Sequence, residues 1–187
     1  KDRRELMDLV ERMQGAFTTI AKSKIPTIAL AHGFCIGGAT SLVSACDIRL
    51  ATKDAKFSIG ETKLGLVADV GVIQRMPKIV SSGDMNELAL TGRIFDSEHA
   101  DKIRFVSKVY KNSDDLFEAG EKLANEISSN SKRIVQATKE ALEKSSNLTV
   151  DQGLEYAKLW STSFLVSEDL REGVMAFLEK RDPKFNE

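Results

Sequence analysis

Long apolar runs are missing from this chain. No stretch of its 187 residues approaches the eighteen or so that a membrane span requires. The opening segment, Lys1 to Met13, is charged and lacks the apolar centre of a secretory signal. The closing residues, Phe185-Asn186-Glu187, lack the Ser-Lys-Leu peroxisomal address, so no targeting signal is visible in the chain. Neither sign of charge is in excess: 27 Lys and Arg balance 28 Asp and Glu, for a net charge of −1. That gives no global attraction to nucleic acid or to an anionic membrane. The densest basic stretch, Lys132 to Lys144, is interrupted by Glu140 and Glu143 and reads as a solvated helix face. Cysteine is rare. Cys35 and Cys46 lie among apolar neighbours without a C-x-x-C pair, which argues against zinc and for two reduced thiols. The two histidines, His32 and His99, have neither a paired carboxylate nor metal-ligand spacing.

Hydrophobic residues at 42% and charged residues at 29% are ordinary for a globular chain. The length suits one domain, or a domain with a small appendage. Leu6, Leu9, Val10, Met13, Phe17 and Ile20 recur at helical spacing from residue 3 to about 22. "KIPTIALA" then reads as a buried strand opened by Pro26. A glycine turn follows, then a helix over Gly38–Ala45 and strands at 47–51 and 56–59. Gly60 to Gly71 holds too many glycines for one regular element. A helix from about Asp84 closes at Gly92, Asp96 is placed to cap a short helix, and "IRFVSKVY" reads as a strand. From Asp114 the pattern is helical, with Thr149 and Gln152 forming a capping-box signal. Alternating strands and helices followed by helices alone predict an α/β core over 1–130 and a helical region over 131–187.

Two clusters could carry chemistry. "HGFCIGGATS", residues 32–41, has the glycine spacing of a phosphate loop from Gly33 to Gly38, with Thr40 beyond it. Position 39 is Ala, so the phosphate-reaching lysine is absent. What remains is the backbone: the N–H of Gly38, at the start of a helix, could stabilise a negative oxygen developing on a carbonyl. The plainer reading is a tight strand-to-helix bend. The second cluster, "GETKLGLVADVG", holds Glu61 and Asp69. Asp69 is framed by Leu66, Val67, Ala68, Val70 and Val72, and burial there would favour its neutral, proton-donating form. A surface Glu and a helix-capping Asp is the alternative. Ser41 has no G-x-S-x-G context. Tyr156, Trp160 and Phe164 form a helical stripe suited to core or subunit contact.

Four stretches together resemble one family: 25–52, "IPTIALAHGFCIGGATSLVSACDIRLAT"; 55–80, "AKFSIGETKLGLVADVGVIQRMPKIV"; 87–100, "ELALTGRIFDSEHA"; and 172–185, "EGVMAFLEKRDPKF". The family is the enoyl-CoA hydratase/isomerase (crotonase) superfamily. The resemblance implies a ββα spiral core, incomplete at its N-terminus, followed by a helical oligomerisation region. It puts Gly38 at the position that supplies one oxyanion-hole N–H to a coenzyme A thioester. Hydratases of the family use two glutamates, at the positions of Ser41 and Glu61, and the position of Asp69 is usually glycine. An Asp there resembles the Δ3,5-Δ2,4-dienoyl-CoA isomerases, which shuttle a proton with a Glu and this Asp.

That subfamily usually has Asp where Ser41 stands, and Ser41 is expected only to line the pocket. The resemblance thus implies an isomerase acting on an acyl-CoA substrate, with Glu61 and Asp69 catalytic and no metal or separate cofactor. It further implies a homotrimer or hexamer with no nucleic-acid partner, mitochondrial or peroxisomal in a eukaryote and cytoplasmic otherwise. The family's second oxyanion N–H and much of its adenine-binding loop precede the helix that opens this chain. With no initiator Met, a longer protein is expected. The alternatives are a Δ3-Δ2-enoyl-CoA isomerase using Glu61 alone, a hydratase-like enzyme, and a non-catalytic binding relative.

Overall fold

The computed structural model describes residues 2–185; the first residue and the final pair read above for a peroxisomal ending lie outside the described residues. Two compact units divide the chain: one runs to residue 23 and over 27–121, the other takes 24–26 and the chain from 122 onward.

The first unit opens with α1 (Arg3–Ala21), capped by Asp2, whose carboxylate accepts from the Arg4 N–H. Strand β1 (Ile28–Ala31) leads through Gly33 into a second short strand, β2 (Phe34–Ile36), and through Gly37 into α2 (Gly38–Ala45). Strands β3 (Ile48–Thr52) and β4 (Lys56–Ser58) follow, then a 3-10 turn over Gly60–Leu64. Helices α3 (Val72–Arg75) and α4 (Ser82–Thr91), strand β5 (Phe95–Asp96), helix α5 (Ser97–Lys102) and strand β6 (Lys108–Tyr110) complete this part. Strands β1, β3 and β6 form one parallel sheet in that order. In the other sheet β2 lies parallel to β4, and β4 antiparallel to β5. Strands in both sheets interleaved with helices make this an α/β fold followed by helices.

Two local departures from the sequence reading have plain causes. The glycine turn contains β2, because Gly33 and Gly37 both take positive φ (60° and 57°) and swing the chain into and out of register with β4. Of "IRFVSKVY" only the last three residues are strand: Ile103 ends α5 and Arg104, at φ 63°, turns the chain first. The core of this unit is aromatic at its centre. Phe57 packs on Phe95 and Phe105 with ring centroids 5.5 and 5.4 Å away, the second edge-on.

Helix α6 (Ser113–Ser128) contains the boundary between the units, and α7 (Lys132–Ser145), α8 (Val150–Phe164) and α9 (Glu168–Glu179) build the second. The capping box is present: the Gln152 N–H donates to Thr149 Oγ1 (3.3 Å) and the Thr149 N–H to Gln152 Oε1 (3.1 Å). Trp160 stacks on Phe164 with centroids 5.8 Å apart, and Tyr156 donates to Glu140 at 2.8 Å. An apolar cavity of about 480 Å³ lies between residues of α7, α8 and α9; neither Gly38, Glu61 nor Asp69 lines it.

Past α9 the chain is clasped back. Arg181 donates to both Glu172 oxygens (2.6 and 3.0 Å), and the Lys184 N–H donates to Glu172 Oε1 at 2.7 Å. These donors hold the Glu172 carboxyl down to about 2, from an ordinary 4.5. A carboxyl depressed on folding stabilises the fold above its ordinary value and loses that contribution as pH falls through the depressed one. The clasp is therefore expected to release between about 4.5 and about 2. The Lys184 amide resonance, followed as acid is added, should shift with a midpoint near the lower value. A midpoint at the ordinary value would contradict the clasp.

Candidate active site

The site is built on the first turn of α2. The Gly37 N–H donates to Ser58 O (2.8 Å), and the Ser41 N–H to Gly37 O (3.0 Å). Thr40 Oγ1 lies 2.5 Å from Cys35 O and 3.0 Å from Ser58 O, tying the helix to both β2 and β4. With its neighbours so fixed, the Gly38 N–H finds no acceptor among the described residues. Gly38 is exposed, and a Cβ built on it would meet nothing within 4 Å. A donor held in place by its neighbours and left unpaired is what a developing oxyanion requires. A phosphate loop is not formed: Thr40, fully buried, has its hydroxyl engaged by backbone, and no lysine follows Gly38.

Glu61 comes to the same turn from β4. The 3-10 turn that carries it is pinned by Thr62 Oγ1 donating to Ala89 O (2.7 Å) and by the Leu66 N–H donating to Glu61 O (3.0 Å). Its carboxylate lies against Gly37, where an added Cβ would stand 3.3 Å from Glu61 Oε1. Glu61 Oε2 is buried and finds no hydrogen-bond partner among the described residues. An orphaned buried carboxylate oxygen is costly, and such exceptions concentrate where a group must act on something bound. Ser41 is also fully buried, and its hydroxyl has no partner among the described residues. Gly37→Ala should test this juxtaposition. At φ 57° and ψ −115° an alanine costs about 1–3 kcal/mol and presses on the Glu61 carboxylate. A clear fall in melting temperature is expected; an unchanged value would contradict the contact.

Asp69 departs from its expected burial. It is exposed, while Ala68 and Val70 on either side are buried. In extended chain successive side chains alternate, so burying both neighbours turns the aspartate outward. Its apolar frame in the sequence does not enclose it, because Leu66 (62%) and Val67 (77%) are themselves exposed. Nor is it a helix cap: α3 starts at Val72 with Gly71 as its N-cap. No hydrogen bond joins the Asp69 carboxylate to any described residue, while its backbone carbonyl accepts from Gln14 Nε2 at 2.6 Å. Thus Gly37, Gly38 and Glu61 are brought together, Ser41 lies buried on the same helix, and Asp69 stands on the loop beyond.

Comparison with known proteins bears on what this turn serves. The Enoyl-CoA hydratase/isomerase family profile matches residues 3–187. The chain belongs to the enoyl-CoA hydratase/isomerase family. Among curated members, a mitochondrial Δ(3,5)-Δ(2,4)-dienoyl-CoA isomerase from Dictyostelium discoideum is 47% identical over 97% of this chain and 62% of its own length. A peroxisomal isomerase of the same name from Arabidopsis thaliana is 41% identical over 97% of this chain and 65% of its own. The chain thus spans about three-fifths of the length of these relatives. Among solved structures, an enoyl-CoA hydratase from Bacillus anthracis superposes with a TM-score of 0.92 at 28% identity, over 99% of this chain and 71% of that one.

Within this family fold, sequence reasoning missed the residues that hold the site in place. In the sequence Thr40 stands only as the possible end of a phosphate loop, and its role as a staple between strands needs Cys35 O and Ser58 O in view. Gln14 is a polar residue on an amphipathic helix, and no spacing signal connects it with position 69.

Proposed function

We propose that the protein shifts carbon–carbon double bonds in an unsaturated acyl-CoA, converting a 3,5-dienoyl to a 2,4-dienoyl thioester. The observation that carries this reading is a Gly38 N–H with no acceptor among the described residues, next in the chain to Gly37, against which the Glu61 carboxylate lies. The thioester oxygen is held at the Gly38 N–H. Glu61, lying nearest that turn, takes the proton from the carbon beside the carbonyl. The electron pair left on that carbon spreads onto the carbonyl oxygen, which the N–H stabilises, and along the diene to its far end. Asp69, which faces water and draws its proton from it, then protonates the far end of the conjugated system, so one proton leaves and one enters. Ser41, buried on the same helix, stands behind the turn with its hydroxyl turned to no described partner. The reaction as drawn needs no metal and no redox cofactor, and coenzyme A is part of the substrate. The names of the Dictyostelium and Arabidopsis relatives support this choice within the family, and their compartments support a mitochondrial or peroxisomal location in a eukaryote. No described helix is long and apolar enough to cross a membrane.

The exposure of Asp69 favours one second reading, a Δ3-Δ2-enoyl-CoA isomerase in which Glu61 moves the proton alone. Turnover of 3,5-dienoyl-CoA against 3-enoyl-CoA, with product analysis, separates the two. Preferred use of the dienoyl thioester supports the proposal, and exclusive use of the 3-enoyl thioester overturns it.

We further propose a homotrimer or hexamer. The second unit leaves Leu154 (63%), Leu165 (63%) and Phe177 (82%) exposed, more apolar surface than a solitary helical unit ordinarily carries. Sedimentation at micromolar concentration should show a trimer or larger; a monomer would refute it.

A further inference from the structure

The loop that carries Asp69 is held by side chains that the proposed chemistry does not itself use. Gln14, on the exposed side of α1, donates through Nε2 to the Asp69 carbonyl at 2.6 Å. The next carbonyl, Val70 O, accepts from Arg75 Nη1 at 3.2 Å. The same guanidinium donates through Nη2 to Thr18 Oγ1 at 3.1 Å. Thr18 lies one turn beyond Gln14 on α1, so both tethers end on the same helix. Gly71 makes the second tether possible. Its φ of +111° suits glycine alone, and a Cβ there would stand 1.8 Å from Arg75 Nη1. The guanidinium occupies the space a side chain would take. Buried Ala68 and Val70 complete the anchoring from the apolar side.

We infer that Gln14 and Arg75 are positioning residues for Asp69, clamping two successive carbonyls so that an exposed carboxylate keeps one place. This inference rests on the proposed role of Asp69 as proton donor. It also answers the difficulty its exposure raises. A solvent-facing acid without hydrogen bonds of its own has no other source of orientation among the described residues, and catalysis demands a defined approach to the reacting carbon. The clamp acts on the backbone and leaves both carboxylate oxygens to exchange a proton.

A double-mutant cycle tests it. Gln14→Ala, at an exposed position, should fold normally and lower kcat on 3,5-dienoyl-CoA by roughly 10- to 100-fold, the scale of a misplaced catalytic group, with little change in KM. Arg75→Met should do the same, and Arg75→Lys, which keeps one donor, should recover part of the loss. In an Asp69→Asn background Gln14→Ala should cost nothing further, because residues acting as a unit are not additive. Equal losses in both backgrounds would show a general structural role and overturn the inference. Amide exchange over residues 65–71 gives a readout independent of substrate. Faster exchange in Gln14→Ala is expected, and unchanged exchange overturns the clamp whatever reaction the protein performs. Faster exchange together with near-parental dienoyl turnover by Asp69→Asn would instead sink the assigned role of Asp69 while leaving the clamp standing.

Discussion

Asp69→Asn is expected to lower 3,5-dienoyl-CoA turnover by about 10²–10⁴-fold, the usual worth of a positioned acid or base. The amide keeps the shape of the side chain but cannot exchange a proton. Because Asp69 is exposed and its carboxylate makes no hydrogen bond with described residues, the substitution should leave folding untouched. Melting temperature and assembly state should match the parent, so a rate loss would report chemistry alone. The same variant discriminates the rival reaction. Were Glu61 the sole shuttle, Asp69→Asn would leave 3-enoyl-CoA turnover nearly intact. Near-parental turnover of the dienoyl thioester by this variant would rule out the two-carboxylate mechanism.

Glu61→Gln should abolish turnover of both thioesters to a similar extent, again about 10²–10⁴-fold, since either reading needs this carboxylate. Its stability effect should run the other way. Glu61 Oε2 is buried with no hydrogen-bond partner among the described residues, so exchanging the carboxylate for an amide of the same shape breaks no bond at that atom. A protein that is dead but at least as stable as the parent is the expected outcome. Such a trade is characteristic of a group kept for function. A large loss of stability with activity retained would show that Glu61 is a structural residue and would move the chemistry elsewhere.

Much of this was legible in the sequence because it was local. The helix from residue 38 is announced by its paired glycines, and the capping box at Thr149 by its spacing. The position of Glu61 after β4 follows from strand and turn signals read in order. What was not legible depends on contacts between distant segments. Asp69 sits in an apolar run, and run composition cannot tell which side chains an extended loop buries; the alternation of Ala68, Asp69 and Val70 does. The strand inside the glycine turn was missed because its pairing partner is β4, twenty-two positions on from Phe34 to Lys56. The clamp from Gln14 and Arg75 joins positions 55 and 57 residues apart and has no one-dimensional trace.

In the reaction we propose, the thioester oxygen rests on the Gly38 N–H while the neighbouring carboxylate of Glu61 moves a proton. The vibrational band of the carbonyl tests it most directly, using a 2,4-dienoyl-CoA carrying carbon-13 at the thioester carbon. A preorganised donor polarises the bound carbonyl and weakens its double bond. On binding, the labelled band should move to lower frequency, and in Glu61→Gln, where the donor is intact but the proton shuttle is gone, the shift should persist. A bound thioester whose carbonyl band stays where it lies in water would contradict the account.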